Sequence, residues 1–376
     1  MRFAAQITVA FFLFATGVLL TASSADAEHI SSLRERINNA VVTVLSGNRD
    51  GDALGVVYDL SEVLDDGDKL RVMPMVGKGS AQNIKDVLLL LGVDMGIAHS
   101  NLLNHYAKTG ELGDIKERLT YIAKLFNEEM HVIAGSGINS IQDLSGKSVN
   151  FGEAGSGTQA TSELVFQALG IKVNEVNMGQ AEALQAISDG KIAATILITG
   201  KPSSFVKTLN KSDGLKLIPI PFSKPLVDDY YPATLTHADY PKLIGENEHV
   251  DTVANCAVLI AFNWPKGSSR YLKVARFVDA FFNHFDEFRK PPHKAKWRDV
   301  NFAATLEGWK RFPEAQVWID AAKAKEVAEA QAKDASTQAE FNRFIASRGD
   351  SPPVRTTAQR DALFRAFLKW KDAHAQ

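Results

Sequence analysis

Residues 148–170, SVNFGEAGSGTQATSELVFQALG, hold the side chains and spacing best suited to chemistry. A short apolar strand, SVNFG, runs into a small-residue turn, EAGSGT, which opens an amphipathic helix. Three glycines, Gly152, Gly155 and Gly157, let the backbone come close to a bound group. The first turn of a helix has free N–H groups and a partial positive charge. A strand, a glycine turn and a helix in that order make a seat for a carboxylate or another small anion. Capping alone is the plainer use of Ser156 or Thr158. A nucleotide-binding P-loop is a weak reading, because no Lys-Ser/Thr pair follows the last glycine and the glycine spacing is wrong.

Around this segment the pattern alternates strand and helix. Strands are expected at 41–48, 69–77 and 94–100, with helices at 55–64 and 80–92 between them. Such a βαβαβ run implies a parallel sheet with helices on its faces. The alternation restarts at 148 with strands at 148–152, 173–178 and 193–200 and helices at 156–170 and 181–190. Two long extended stretches, 121–135 and 250–264, read as crossovers between two lobes. The first of them looks like two strands parted by the polar residues Asn127, Glu128 and Glu129. Helices follow at 270–288, 321–335 and 360–373.

Ligands of open α/β sheets sit beyond the carboxyl ends of the strands, and clefts between domains are favoured sites. The polar residues at those ends are Ser46, Asn48 and Arg49; Lys78 and Ser80; His99, Ser100 and Asn101; Gly155, Ser156, Gly157 and Thr158; and Thr199 and Lys201. Arg49 has the shape to clamp a carboxylate in bidentate fashion, while Asp50 and Asp52 compete for it. Lys201 is either a ligand contact or a solvated lysine, and His99 either a donor to the ligand or a structural histidine.

No catalytic constellation assembles. HExxH and GxSxG are both missing, and Ser156 lacks the spacing of a nucleophile elbow. His99 and His105 fall on different elements, and no cluster has metal-ligand spacing. No cofactor is expected, and the reading favours binding over catalysis.

Composition bounds the rest. The chain has 376 residues, 45% hydrophobic and 23% charged, with a formal net charge of −2. These values suit a globular protein of about two domains and give no reason to expect nucleic acid as a partner. Arg2, the apolar run 7–20 and Ala25-Asp26-Ala27 form a secretory signal pattern with cleavage near Glu28. No later segment is apolar enough for membrane insertion. The single cysteine, Cys256, lies in the apolar run VANCAVLIAF and reads as a core residue. Export without an internal disulfide suits a bacterial periplasm.

With the strand ends in place, the chain resembles the TAXI family of TRAP-transporter solute-binding proteins. The resemblance runs from about Val41 to Trp264 and rests on four blocks: DLSGKSVNFGEAGSGTQATSELVFQALGI, GVDMGIAHSN, TGKPSSFVKTL and VDTVANCAVLIAFNW. In the first block Asp143, Leu144, Gly146, Lys147, Val149, Gly152, Ser156, Gly157 and Thr158 are in step with the family's pattern. The resemblance implies an α/β, two-lobe type II periplasmic-binding-protein fold with two crossover strands. It implies a small acidic ligand handed to a membrane permease, with Ser156, Gly157 and Thr158 on the ligand's carboxylate and His99 and Ser100 at the cleft. The family's aromatic first turn is replaced here by Asp50-Gly51-Asp52-Ala53-Leu54-Gly55. Two aspartates there disfavour a dianion unless Arg49 offsets them, which favours an amino acid or a less acidic solute.

The resulting expectation has four parts: a signal peptide over 1–27, a discontinuous first lobe over 28–125 and 255–319, a second lobe over 126–254, and a helical C-terminal extension over 320–376. The expected function is delivery of a small carboxylate or amino acid to a TRAP-type permease by cleft closure. The alternative is a periplasmic sensing module that acts on a signalling partner through its tail. An enzyme built on the same scaffold is the third reading.

Overall fold

The computed structural model describes residues 28–47, 53–347 and 356–374. The signal pattern lies outside these residues, and so do Asn48 and Arg49. The helices are α1 (28–40), α2 (Ala53–Leu64), α3 (Ser80–Leu89), α4 (Ser100–Thr109), α5 (Ile115–Arg118), α6 (Gly157–Leu169), α7 (Gln180–Ser188), α8 (Ser204–Lys207), α9 (Ser269–Asn283), α10 (Phe285–Phe288), α11 (Pro313–Ser347) and α12 (Thr357–His374). The strands are β1 (Val41–Leu45), β2 (Arg71–Met75), β3 (Met95–His99), β4 (Leu119–Ala134), β5 (Ser148–Asn150), β6 (Asn174–Val176), β7 (Ala194–Thr199), β8 (Lys216–Leu217), β9 (Tyr231–Thr236) and β10 (His249–Phe262).

Eight of the strands follow the order β2-β1-β3-β10-β4-β7-β5-β6, with β8 on β4 and β9 on β10. The outer strands β1, β2 and β3 pair in parallel, as do β5, β6 and β7. The central pair, β4 and β10, is antiparallel and far longer than its neighbours. One end of β10 pairs with β3 through Ala257–Ala261, and the other pairs with β9 through His249–Ala254. Likewise β4 pairs with β7 only through Glu129–Ala134. Both expected crossovers are therefore present, each a strand shared by two α/β halves.

The crossover at β4 differs in one respect from the sequence expectation. It is one unbroken strand of 16 residues rather than two. Asn127, Glu128 and Glu129 stay in register with Cys256, Asn255 and Ala254. The polar run does not break the strand because both glutamates are buried and each has a partner.

Each half has its own core. Leu45, Ile84, Val87, Leu102, Leu103 and Val258 pack together in one. Val132, Val149, Phe151, Val165, Phe166 and Ile196 pack together in the other. Beyond β10, the expected helix over 270–288 is broken at His284 into α9 and α10. Phe281, Phe285, Phe288 and Trp297 pack there in edge-on and tilted pairs, and the Trp297 indole N–H donates to Asp59 at 2.7 Å. That anchor fixes the short turn Ala295–Asp299, which carries Lys296.

Two compact units are distinguishable, Met1–Gln316 and Val317–Gln376. The second contains most of α11 and all of α12, held by Phe341 and Phe367 and by a Lys371–Glu340 ion pair at 2.7 Å. No helix of the described residues is long and apolar enough to cross a membrane.

Candidate functional site

The glycine segment folds as its residue types dictate. Gly152 and Gly155 take φ of 82° and 81°, a region that disfavours side chains. Ser156 is the N-cap of α6, and its hydroxyl accepts from the Gln159 N–H at 3.0 Å. The Gly155 N–H donates to the Gln159 side chain at 2.6 Å. Capping and ligand seating are compatible here, since the cap satisfies Gln159 and leaves the N–H groups of Gly157 and Thr158 for other partners. The preceding DLSGK block is structural instead. Asp143 accepts from the Asn139 and Ser140 N–H groups, which hold its carboxyl below the ordinary range.

Opposite the α6 terminus stand the ends of β1, β2 and β3. The two sides touch. A methyl group placed on Gly79 would lie 2.6 Å from the Gly157 nitrogen, and one on Gly157 would lie 3.0 Å from His99 Cε1. Between them is a cavity of about 40 Å³ lined by Lys78, Ser80, Asn83, His99, Glu128 and the Ser156–Thr158 turn, among others. Such a volume admits no more than a few water molecules, so a solute enters only when the two halves part.

The floor of this cleft is ionic. His99 Nε2 lies 2.5 Å from Glu128 Oε2, with side-chain exposures of 10% and 5%. His99 Nδ1 and Asn83 Oδ1 are buried beside them without a hydrogen-bond partner. Buried polar atoms of this kind normally find a partner, so both are available to a ligand.

The expected site residues divide accordingly. Ser80, His99, Ser156, Gly157 and Thr158 come together around the cleft. Gly155 lies at its rim, where a Cβ would be 3.2 Å from Lys78 Cδ. Four others are not among the residues that line it. The Ser46 hydroxyl donates to the Met75 carbonyl at 3.1 Å, and the Ser100 hydroxyl accepts from the Cys256 N–H at 3.2 Å. Thr199 is buried in β7 opposite Glu129. Lys201 sends its ammonium to the Thr234 carbonyl and to Asp239, 3.3 Å away. Asn48 and Arg49 lie outside the described residues.

Three cleft residues escaped the sequence analysis as ligand candidates: Asn83, Glu128 and Lys78, the last seen only as one polar residue of a strand end. The signal for Glu128 was present. A pair of glutamates inside a 16-residue buried strand is expensive unless a partner or a ligand meets each charge. Cys256 behaves as a core residue, its thiol pushed up to about 11 by burial.

Two α/β halves hinged on two long shared strands, with a polar cleft at the strand ends, define the type II periplasmic solute-binding-protein fold. Within that class the sequence profile of the NMT1-like family matches residues 53–271, more than half of the chain, and the protein belongs to that family. The expected kind of protein, a periplasmic solute-binding protein, is thus met at the level of the NMT1-like family. Among solved structures, the chain is similar to a periplasmic transporter at 16% identity and a TM-score of 0.46, covering 77% of this chain and 97% of that one. It is similar to the periplasmic binding protein BugD at 13% identity and a TM-score of 0.43, with the same two coverages of 77% and 97%. It is also similar to the periplasmic aliphatic sulphonate binding protein SsuA from Escherichia coli at 12% identity and a TM-score of 0.40, covering 74% and 82%.

Proposed function

We propose that the protein is a periplasmic solute-binding protein that captures a small carboxylate or amino acid by closure of the cleft. The observation that carries the reading is the apposition of the α6 N-terminus with His99 and Glu128 across the Gly79–Gly157 contact. The solute's carboxylate would sit on the N–H groups of Gly157 and Thr158, where the helix end favours negative charge. Glu128 adds a condition. A buried carboxylate facing the ligand repels a second negative charge and attracts an ammonium, so an amino acid is favoured over a dicarboxylate. The closed form would then present a surface to a membrane permease, of TRAP type if the TAXI-like blocks report the partner as well as the fold.

Calorimetric titration with a panel of amino acids and small monocarboxylates tests the reading. One-to-one binding that weakens in Ser156→Ala/Thr158→Ala is expected. A panel in which nothing binds, with the double variant indistinguishable from the parent, would reject it.

Sensing without transport is the second reading, favoured by the compact unit Val317–Gln376. Removing residues 317–376 separates the two. Solute affinity retained with a signalling partner lost supports sensing, whereas permease-dependent uptake that survives the deletion supports transport.

A further inference from the structure

The crossover strands have two faces, and only one looks into the cleft. Neighbouring residues on a strand point to opposite sides. Glu128 therefore faces His99, while Asn127 and Glu129 face away. On that far side is a second cavity, of about 330 Å³, several times larger than the cleft space. Three lysines line it from three elements: Lys124 on β4, Lys201 just after β7, and Lys296 in the turn Ala295–Asp299.

Lys124 reaches this side because of a bulge. Cys256 opposes Asn127 and Val258 opposes Lys124, so β4 carries one more residue than β10 across that step. The extra residue reverses the alternation and brings Lys124 to the same face as Asn127. Lys296 reaches it by laying its methylenes over Gly200, where a Cβ would lie 2.5 Å from Lys296 Cε. The cavity is thus closed from one side by the segment after α10 and from the other by the end of β7.

Its charge is unbalanced. Lys201 is held by Asp239, and Lys296 lies 3.2 Å from Asp299, whose side chain is 55% exposed. The Lys124 ammonium meets the Tyr231 hydroxyl at 3.4 Å and the Tyr231 ring, and no carboxylate of the described residues pairs with it. Glu129 is the other carboxyl in the lining, and burial raises it to about 7, so it contributes only part of a charge near neutral pH. Asn127 and Asn301 supply uncharged donors around the lysines.

We propose that this cavity behind the crossover strands is a second binding site, specific for a small dianion such as inorganic phosphate or a short dicarboxylate. It is separate from the cleft, whose own carboxylate, Glu128, opposes a dianion. The site uses neither the α6 terminus nor His99.

The test is calorimetric titration of the full chain at low salt with inorganic phosphate and, separately, with succinate. The parent, Lys124→Gln, Lys296→Gln and Ser156→Asp are compared, and thermal unfolding checks that each variant is folded. Saturable one-to-one binding of at least one probe is expected. It should weaken about ten-fold or more in each lysine variant, the loss of one charge-assisted contact, and stay unchanged in Ser156→Asp. Lys124→Arg should retain it. Phosphate without succinate would indicate an oxyanion site, and the reverse a dicarboxylate site. Failure of both probes to bind overturns the proposal. So does binding that disappears in Ser156→Asp, or that survives both lysine-to-glutamine changes.

Discussion

His99 Nε2 and Glu128 Oε2 are 2.5 Å apart on the floor of the cleft, joining the end of β3 to the middle of the crossover strand β4. Both side chains are shielded from water, so each serves as the other's main polar partner. Removing either leaves a buried group unmatched, which typically costs about 3–5 kcal/mol when that group is charged. Denaturant unfolding of His99→Ala, Glu128→Ala and the double variant measures this. The double variant should be less destabilised than the sum of the singles by about 1–3 kcal/mol. Additive losses would show that the pair is not coupled.

The Gly79–Gly157 contact sets how far the cleft can shut. Gly79 has φ of 131° and no room for a Cβ, which would meet the Gly157 backbone. Gly79→Ala should therefore hold the halves apart and raise the radius of gyration of the solute-free chain seen by small-angle scattering. An unchanged scattering profile would show that closure does not pass through this contact.

Ser156 has two separable tasks. Ser156→Ala removes the N-cap and should cost about 1 kcal/mol of stability. Ser156→Asp keeps a capping oxygen but puts a negative charge where the solute's carboxylate would lie. Its unfolding temperature should stay near the parent's while carboxylate binding is lost in titration. Intact binding in Ser156→Asp would remove the α6 terminus from the site.

Glu129 makes stability depend on pH. Its carboxyl is raised from 4.5 to about 7, first by burial, against the opposing pull of Lys296 and of the Lys201 N–H and charge. Lys124 and Asp299 also line its cavity. The folded chain holds this proton more tightly than the unfolded chain does. The resulting stability is fully present below about pH 4.5 and is lost as the pH rises to about 7. At pH 8 the buried charge costs at most roughly 3 kcal/mol. Glu129→Gln should match the parent near pH 4.5 and exceed it at pH 8 in denaturant unfolding. A difference that does not change with pH would contradict the burial of this carboxyl.

Much of the fold was legible because its signals are local. The apolar runs of β1, β3, β5 and β7 and the amphipathic helices α2, α3, α6 and α7 stand in the chain as periodicity predicts. The long runs around Leu125 and Val258 showed the two crossovers, because few folds bury strands of that length. The continuity of β4 was hidden, since its polar run is stabilised by His99 and Lys201, which are distant in sequence. The site was legible to the same degree. The Ser156–Thr158 turn could be read from its own glycines, whereas Ser46 and Ser100 looked the same as ligand contacts until their backbone partners were known. Asn83 gave no local signal at all: it is a helix residue that reaches the Ser46 and Ile97 carbonyls only in the folded chain.

A structure of the chain with the solute that saturates it in titration is the most direct test of the central claim. The account predicts one bound molecule between the halves, a carboxylate oxygen within hydrogen-bond distance of the Gly157 and Thr158 N–H groups, and the Gly79–Gly157 contact opened to admit it. A solute bound elsewhere, with Gly79 still against Gly157, would contradict it.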